Sequence, residues 1–229
     1  MSVPRTARER ARAEITREIT DAARRQLAES GAPALSLRAI ARELGMVSSA
    51  LYRYFPSRDD LLTTLIIDAY NSLGDTVEHA VASADTPRAQ LRAASKAVRD
   101  WAIAHPHEYA LVYGSPVPGY QAPETTVGPA SRAPVAMLGI VYRAWEAGTL
   151  TVSPDDLTPE LAAQSANIAA MIAPGLPESA VARAFIALTQ LFGMVTFELF
   201  GQLDNSMDPA GPFFDHSVAA MADYIGLAR

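Results

Sequence analysis

The sequence predicts an all-α protein. Apolar residues recur at intervals of three and four along almost every patterned segment, which places them on one face of a helix. No run of useful length alternates apolar and polar residues, as a half-exposed strand would. Hydrophobic residues make up 49% of the chain and its net charge is −6, which favours a folded chain over a disordered one. We expect about nine to ten helices.

The N-terminal part begins with a helix that ends near Gly31, followed by a shorter one over 37–44. The first helix has one apolar stripe, formed by Ile15, Ile19, Ala22, Ala23 and Leu27. Ser36 precedes the second helix, where a side-chain oxygen can accept hydrogen bonds from the unpaired amides of the first turn. Gly45 follows that helix, at the place where a left-handed residue commonly ends it.

A third short helix is expected over 48–55, because Pro56 stops it. Two helices joined by a tight turn that contains glycine form a helix-turn-helix, here at 36–55, whose second helix enters the major groove of DNA. Its apolar side chains are expected in a core: Leu37, Ile40, Leu44, Met46, Leu51 and Phe55.

The rest of the chain predicts further helices around one proline-rich loop. Ser57 opens a long helix to about Ser83, with Asp59 and Asp60 where negative charge suits the helix dipole. Later helices are expected over 86–105, 107–113, 134–148, 159–172, 178–203 and 212–227. Most of 115–134 is expected to be a loop, with 115–128 as a candidate lid over a binding site.

Charge is divided unevenly along the chain. Residues 1–58 contain eleven arginines and six acidic residues, a net charge of +5, whereas 59–229 contain eight basic and nineteen acidic residues, a net charge of −11. A basic head on an acidic body is typical of a nucleic-acid-binding protein. We therefore predict a DNA-binding domain at 1–58 and a helical body at 59–229.

Several other classes of protein are disfavoured. Cysteine is absent, which excludes disulfides and thiolate metal sites and fits the reducing cytoplasm. Neither a signal peptide nor an uncharged apolar stretch of about 18–20 residues is found, so no membrane span is expected. The common motifs of enzyme sites are missing, and His105 and His107 would not share a helix face. We therefore expect no catalytic site, no metal site and no cofactor.

Residues 12–70 resemble the N-terminal domain of the TetR family of transcriptional repressors, a domain that would extend here over about 12–72. The resemblance is carried by Gly45 and by the run Ala-Leu-Tyr-Arg-Tyr-Phe-Pro-Ser-Arg-Asp-Asp-Leu-Leu over 50–62. Family patterns usually have serine at the position of Val47, so Ser48 is expected to cap the recognition helix instead. In the body, the order of Trp101, His105 and Gly114 resembles one subgroup of the family.

The recognition helix suggests how DNA is contacted. Ser48, Ser49 and Ala50 are expected at base edges, with simple helix capping as the alternative for the serines. Phosphate contacts, which position a protein without choosing a sequence, are expected from Ser36, Arg38, Tyr52, Arg53, Tyr54 and Arg58; a guanine contact stays open for Arg53. The arginines at 5, 8, 10 and 12 form either an arm in the minor groove or a tail that does not contact DNA.

A small-molecule site is expected in the body. Aromatic and methionine side chains with a few polar tips are typical of such sites. The candidates are Trp101, His105, Tyr109, Tyr113, Met137, Tyr142 and Trp145. Any one of them alone is more commonly a core residue, but as a group they predict a pocket, because the family resemblance implies an effector site in the body.

The last two helices predict a dimer interface. Each has an apolar stripe, and two such helices from each of two subunits can form a four-helix bundle, with burial inside the monomer as the alternative. The interface candidates are Val181, Phe185, Leu188, Phe192, Val195, Phe214, Val218 and Met221.

Together these observations predict a sequence-specific DNA-binding regulator, and a repressor if the family default holds. It would be a homodimer on double-stranded operator DNA of palindromic sequence, released when a small apolar or aromatic effector of unknown identity binds the body. The alternative is an all-α sensor or scaffold that uses its helix-turn-helix for protein contacts; the basic head argues against it.

Overall fold

The computed structural model describes residues 6–152 and 155–228. These residues contain ten α-helices and no strand beyond a single bridge between Leu150 and Leu227, which confirms the all-α prediction. The helices are α1 (Ala7–Ser30), α2 (Leu37–Glu43), α3 (Ser48–Leu51), α4 (Arg58–Ala82), α5 (Pro87–Ala104), α6 (Pro106–Tyr113), α7 (Val127–Glu146), α8 (Pro159–Ile172), α9 (Glu178–Leu199) and α10 (Ala210–Ile225).

The chain packs as two units. The first contains the residues up to Ala69 together with His105–Val127, and the second contains Tyr70–Ala104 and the residues from Gly128 onward. Helix α4 therefore supplies residues to both. The start of α4, helix α6 and the loop after α6 thus belong to the first unit, together with the arginine-rich N-terminal helices. The domain boundary expected at residue 58 was drawn from the distribution of charge. It stays a prediction of where the DNA-contacting residues end.

The first unit is built around a core supplied by α1 to α4. Leu37, Ile40, Leu51 and Phe55 are buried in it, and the remaining two expected core residues, Leu44 and Met46, pack against it half-buried. The segment after α5 completes this core through Leu111, Val117 and Tyr120. The Tyr120 hydroxyl also lies 2.9 Å from Thr63 Oγ1. This part of the expected lid is thus packed against the core of the first unit.

Local side-chain chemistry sets the ends of the helices in the motif. Ser36 Oγ accepts a hydrogen bond from the amide of Ala39 at 3.4 Å, and Gly45 has a φ of +65°, as expected for a helix end. The recognition helix α3 is shorter than expected, and its capping residue is Val47, whose side chain makes no capping hydrogen bond. The expectation that Ser48 caps α3 is wrong, because Ser48 is already the first helical residue.

Helix α7 starts earlier than the proline pattern suggested. It begins at Val127, so residues 127–133, expected in the loop, are helical. Pro129 lies in the first turn, where its missing amide costs no helical hydrogen bond. Pro134 lies inside the helix, which loses the bond to the Ala130 carbonyl there.

In the second unit, α9 contacts α5, α8 and α10. A separate connection joins α7 to the part of α4 in this unit. The Arg132 guanidinium bonds to the main-chain carbonyl of Asn71 at 3.1 Å, to Asp75 at 2.5 Å and to Glu78 at 2.6 Å. Gly74 makes room for it, because a Cβ there would lie 2.9 Å from the Arg132 Cβ. These ion pairs raise the pKa of Arg132 and bind α7 to α4.

By length and composition, α9 could cross a membrane, with a mean hydropathy of 1.6 over its most apolar window, 44% of which is buried. Two of its three charged residues are paired inside the unit: Arg183 binds Asp155 at 2.6 Å, and Glu198 binds Arg99 at 2.5 Å. Its contacts with three neighbouring helices are those of a core helix.

Candidate nucleic-acid interface and effector cavity

Helix α3 presents polar side chains to solvent. Ser48 and Ser49 are exposed and Ala50 is half-buried, whereas Leu51 is fully buried and anchors the helix. In the turn that follows, Tyr52 and Arg53 are exposed as well. Burial of Leu51 thus anchors α3 while Ser48, Ser49, Tyr52 and Arg53 stay accessible.

Val47 is a further candidate for the interface that sequence reasoning missed. Its side chain is 70% exposed at the start of α3. An accessible apolar group at this end of a recognition helix can contact a thymine methyl group. The sequence signal that could have identified Val47 was that family patterns usually have serine at this position.

Arg12 connects α1 to the turn after α3. Its guanidinium donates a hydrogen bond to the Arg53 carbonyl at 3.3 Å and lies 5.0 Å from the centre of the Tyr54 ring. Tyr54 is half-buried against the core of the first unit. Arg12 and Tyr54 therefore hold the turn that carries Arg53.

The arginine-rich N-terminus is helical where it is described. Thr6 Oγ1 accepts a hydrogen bond from the Glu9 amide at 3.2 Å, and Glu9 accepts one from the Thr6 amide at 2.9 Å. This capping box starts α1 before Arg8, so the alternative of an unstructured tail is wrong for Arg8, Arg10 and Arg12, whereas their contact with the minor groove stays a prediction. Arg5 lies outside the described residues.

At the start of α2, Ser36 and Arg38 are placed differently. The Ser36 amide donates to Gln26 Oε1 at 2.6 Å while its hydroxyl caps α2, so Ser36 has a structural role. Arg38, in the first turn, is exposed and accessible to a phosphate.

Arg58 makes hydrogen bonds inside the protein. Its guanidinium donates to the carbonyls of Leu35 at 3.2 Å, Ala32 at 2.8 Å and Pro33 at 3.4 Å, and it lies 3.6 Å from Asp59. These bonds fix the connection between α1 and α2 to the start of α4. The geometry favours a structural role over the expected phosphate contact.

Replacing Arg58 with alanine should therefore lower stability. The substitution removes the hydrogen bonds that fix the connection between α1 and α2 to the start of α4, two of them partly buried, at a cost of about 2 kcal/mol. The melting temperature followed by circular dichroism should fall by roughly 4–8 °C. Arg38→Ala is the matched control, and it should melt like wild type while binding DNA more weakly. A wild-type melting temperature for Arg58→Ala would contradict the structural role.

An ion cluster around Arg24 joins α1, α4 and α6 within the first unit. The guanidinium lies 2.8 Å from Asp21, 2.9 Å from Asp68 and 3.1 Å from Glu108. Burial raises the pKa of Asp68 above its ordinary value, and the charge and hydrogen bond of Arg24 oppose that shift. Arg24 thereby ties α6 to the motif that carries α3.

The aromatic residues expected in one pocket are divided between the units. In the first, Tyr109 is fully buried with its ring 5.0 Å from that of Tyr113, and His105 precedes α6 at its capping position. In the second, the Trp101 indole donates to Ser72 Oγ at 2.9 Å, and the rings of Tyr142 and Trp145 stack at 5.9 Å. Met137 is nearly buried on α7 and lines a cavity.

That cavity lies among α5, α7, α9 and α10 in the second unit and has a volume of about 20 Å³. Apolar side chains form most of its wall, and of the seven expected pocket residues Met137 alone is part of it. The wall includes Leu91, Ser95, Pro134, Phe185, Leu188 and Met221. Ser95 was missed, although a single serine on the apolar side of α5, beside Leu91, Ala94 and Val98, was a readable signal.

A larger groove of about 550 Å³ borders the start of α5 and α10. It is open to solvent, and Arg88 in its wall already binds Asp223 at 2.7 Å and main-chain carbonyls of Ala219 and Leu227. In the described part of the chain, no cluster of three potential ligands could hold a metal ion. The apolar cavity among α5, α7, α9 and α10 is therefore the better candidate for a small-molecule site.

The residues expected at a dimer interface need correction. Five of them are buried in the core of the second unit of a single chain, so their side chains are not available to a partner: Val181, Val195, Phe214, Val218 and Met221. Phe185, Leu188 and Phe192 stay at least partly exposed, but Phe185 and Leu188 also line the cavity.

Other apolar side chains are accessible on the packed helices α8 and α9 and at the residue that caps the end of α9. They recur at helical spacing, and together we name them the α8–α9 surface: Leu161, Ile168, Ile172, Ile186, Phe197 and Phe200. Met171 next to them is 73% exposed. Exposed apolar side chains that share the faces of neighbouring helices make this surface a candidate interaction site.

Comparison with known proteins identifies the family. Residues 19–65 match the family model described as bacterial regulatory proteins of the tetR family, and residues 91–221 match the tetracyclin repressor-like C-terminal domain. HTH-type transcriptional regulator Rv1816 of Mycobacterium tuberculosis is 40% identical over 224 residues, covering 93% of this chain and 95% of that protein.

Two solved structures are similar over nearly the whole chain. The regulatory protein SCO4313 has a TM-score of 0.76 at 35% identity, covering 95% of this chain and 100% of that one. A protein with unknown function from Rhodococcus sp. RHA1 has a TM-score of 0.68 at 28% identity, covering 93% and 95%. The chain therefore belongs to the TetR family of bacterial regulatory proteins and is a transcriptional regulator with that family's helix-turn-helix DNA-binding domain.

Proposed function

We propose that the protein is a cytoplasmic repressor that binds a palindromic operator as a homodimer and leaves it when a small effector binds. The accessible side chains of α3 and the turn after it carry this proposal, because Ser48, Ser49, Tyr52 and Arg53 are exposed in a segment of net charge +5. Positive charge neutralises phosphates, and short polar side chains at the start of a recognition helix reach bases.

The structure supports a division of roles among the DNA-contact candidates. Ser48, Ser49 and Ala50 would contact base edges, with Val47 against a thymine methyl group. Arg38, Tyr52 and Arg53 would contact phosphates. Ser36, Tyr54 and Arg58 would hold the motif in shape, because each is engaged inside the first unit.

The α8–α9 surface would form the dimer interface. Two helices from each subunit make a four-helix bundle about a two-fold axis, which buries the exposed apolar side chains of both copies. A two-fold dimer presents its recognition helices to half-sites related by the same symmetry, about 34 Å or one DNA turn apart. This symmetry is why a palindromic operator is expected.

Helix α7 supports the link between effector and DNA. Its residues Pro134 and Met137 line the cavity, and its Arg132 binds Asp75 and Glu78 of α4. Helix α4 begins at Arg58 in the first unit, so a ligand that displaces α7 acts on a helix shared with the DNA-binding unit. The usual coupling of about 1–3 kcal/mol changes operator affinity roughly 5- to 150-fold, and DNA weakens effector binding by the same factor.

A gel shift on the DNA flanking the protein's own gene tests the proposal. Binding should be tighter than to a scrambled duplex of equal length and should weaken steeply with salt. Mixtures of metabolites should release the complex if they contain the effector. Equal affinity for both duplexes at every salt concentration would contradict a sequence-specific regulator.

A further inference from the structure

Ser95 is the unusual residue of the cavity. It is fully buried on α5. Among the buried side-chain oxygens and nitrogens of the described residues, its hydroxyl oxygen stands out because it has no hydrogen-bond partner. A serine inside a helix commonly bonds to the carbonyl four residues back, which Ser95 does not do. A buried hydroxyl without a partner destabilises a fold, so its place in a cavity wall calls for a function.

We propose that Ser95 is the polar anchor of the effector site, and that the effector is an uncharged, largely apolar molecule with one hydroxyl or carbonyl group. That group would form a hydrogen bond with Ser95 Oγ while the rest of the molecule packs against the apolar wall. This inference rests on the proposed function, since it names the ligand class of the same effector site.

The wall of the cavity sets the class of ligand. Around Ser95 it is formed by aliphatic, methionine and aromatic side chains and by the ring of Pro134, with no charged residue among them. A carboxylate or ammonium group would lose its hydration there without gaining an ionic partner. One hydrogen-bonding side chain matches one polar group on the ligand. A water molecule is a poor occupant, because it needs two to four polar partners.

The size of the cavity sets how a ligand enters. At about 20 Å³ it must widen to hold a ring-sized molecule. Met137 can move aside, because methionine is unbranched and adapts to irregular space. Phe185 is 37% exposed and Leu188 is half-buried on α9, so these two wall residues lie between the cavity and solvent.

Calorimetric titration of the full chain with phenol, benzene and benzoate tests the ligand class. Phenol and benzene have the same ring with and without a hydroxyl, and benzoate carries a charge. We expect phenol to bind wild type roughly 3- to 10-fold more tightly than benzene, the effect of one hydrogen bond, and benzoate not to bind. Ser95→Ala should remove the advantage of phenol without weakening benzene.

Two further variants complete the test. Ser165→Ala removes a buried serine of α8 outside the cavity wall and should keep the preference of wild type for phenol. Met137→Ala enlarges the cavity, so phenol and benzene should both bind more tightly and phenol should stay preferred. Without ligand, Ser95→Ala should raise the melting temperature by roughly 2–4 °C, because it removes an unpaired hydroxyl.

Equal binding of phenol and benzene, or no binding of either, in both wild type and Met137→Ala would overturn the proposal. A lower melting temperature for Ser95→Ala would also overturn it, because the hydroxyl would then be structural. Operator binding by wild type is measured separately. If it is specific while phenol selectivity is missing, this inference alone fails; if selectivity is present without operator binding, the proposed function alone fails.

Discussion

Replacing Phe197 with glutamate should turn the protein into a monomer and abolish tight operator binding. Phe197 is 53% exposed on α9 within the α8–α9 surface. A carboxylate buried there against a partner subunit would lose its hydration without a counter-charge, at a cost of several kcal/mol. Each half-site would then be bound alone, so operator affinity should fall at least ~100-fold. Sedimentation velocity and a gel shift measure the two effects.

Ile103→Glu is the matched control for this change. Ile103 is a similarly exposed apolar side chain, but it lies on α5 outside the α8–α9 surface. That variant should stay dimeric and bind operator like wild type. A dimeric Phe197→Glu variant, or a wild type that sediments as a folded monomer, would show that the subunits do not associate through this surface.

Replacing Arg53 with glutamate should weaken binding to the operator and to random DNA by the same large factor, roughly 100-fold. Arg53 is exposed in the turn after α3, and its carbonyl is held by Arg12. A negative side chain next to phosphates replaces an attraction with a repulsion. The slope of log affinity against log salt should fall by about one unit or more. Fluorescence anisotropy over a salt series gives both quantities.

Arg92→Glu makes the same charge reversal at an exposed arginine of α5 and should leave DNA binding unchanged. Ser49→Ala should instead alter which operator variants are preferred, with little effect on random DNA. If Arg53→Glu changed the preference among operators but not the affinity for random DNA, Arg53 would read a base and its phosphate role would be refuted.

The first unit was largely predictable because its signals are local. Ser36 marks a helix start through its hydroxyl and Gly45 a helix end through its positive φ, and Leu51 and Phe55 are only four positions apart, at the end of α3 and after the turn that follows it. Two expectations for this unit were wrong or weakened, one on the cap of α3 and one on the role of Arg58. A one-turn recognition helix has no capping side chain at Val47, and the sequence pattern did not show that Arg58 bonds to distant carbonyls.

The body was less predictable because α9 and α10 are apolar on more than one side. Spacing identified the stripe that contains Val181 and Val195, but it could not tell a face buried within the unit from one left exposed. Phe197, on the exposed side, was not part of the predicted stripe. The cavity depends on contacts among four helices far apart in sequence, and the orphan hydroxyl of Ser95 is visible only once they are packed.

The core of the first unit bears on whether DNA specificity can be changed by exchanging the N-terminal segment between related proteins. Leu111, Val117 and Tyr120 complete the core under the recognition helix although they follow its last residue, Leu51, by 60 positions or more. A chimera that takes residues 1–58 from a paralogue would join two cores that did not evolve together. Operator preference can diverge without that conflict at side chains directed to solvent, such as Val47, Ser48 and Ser49. Exchange of residues 1–58 is therefore expected to lower stability, whereas substitution at these exposed positions is expected to preserve it.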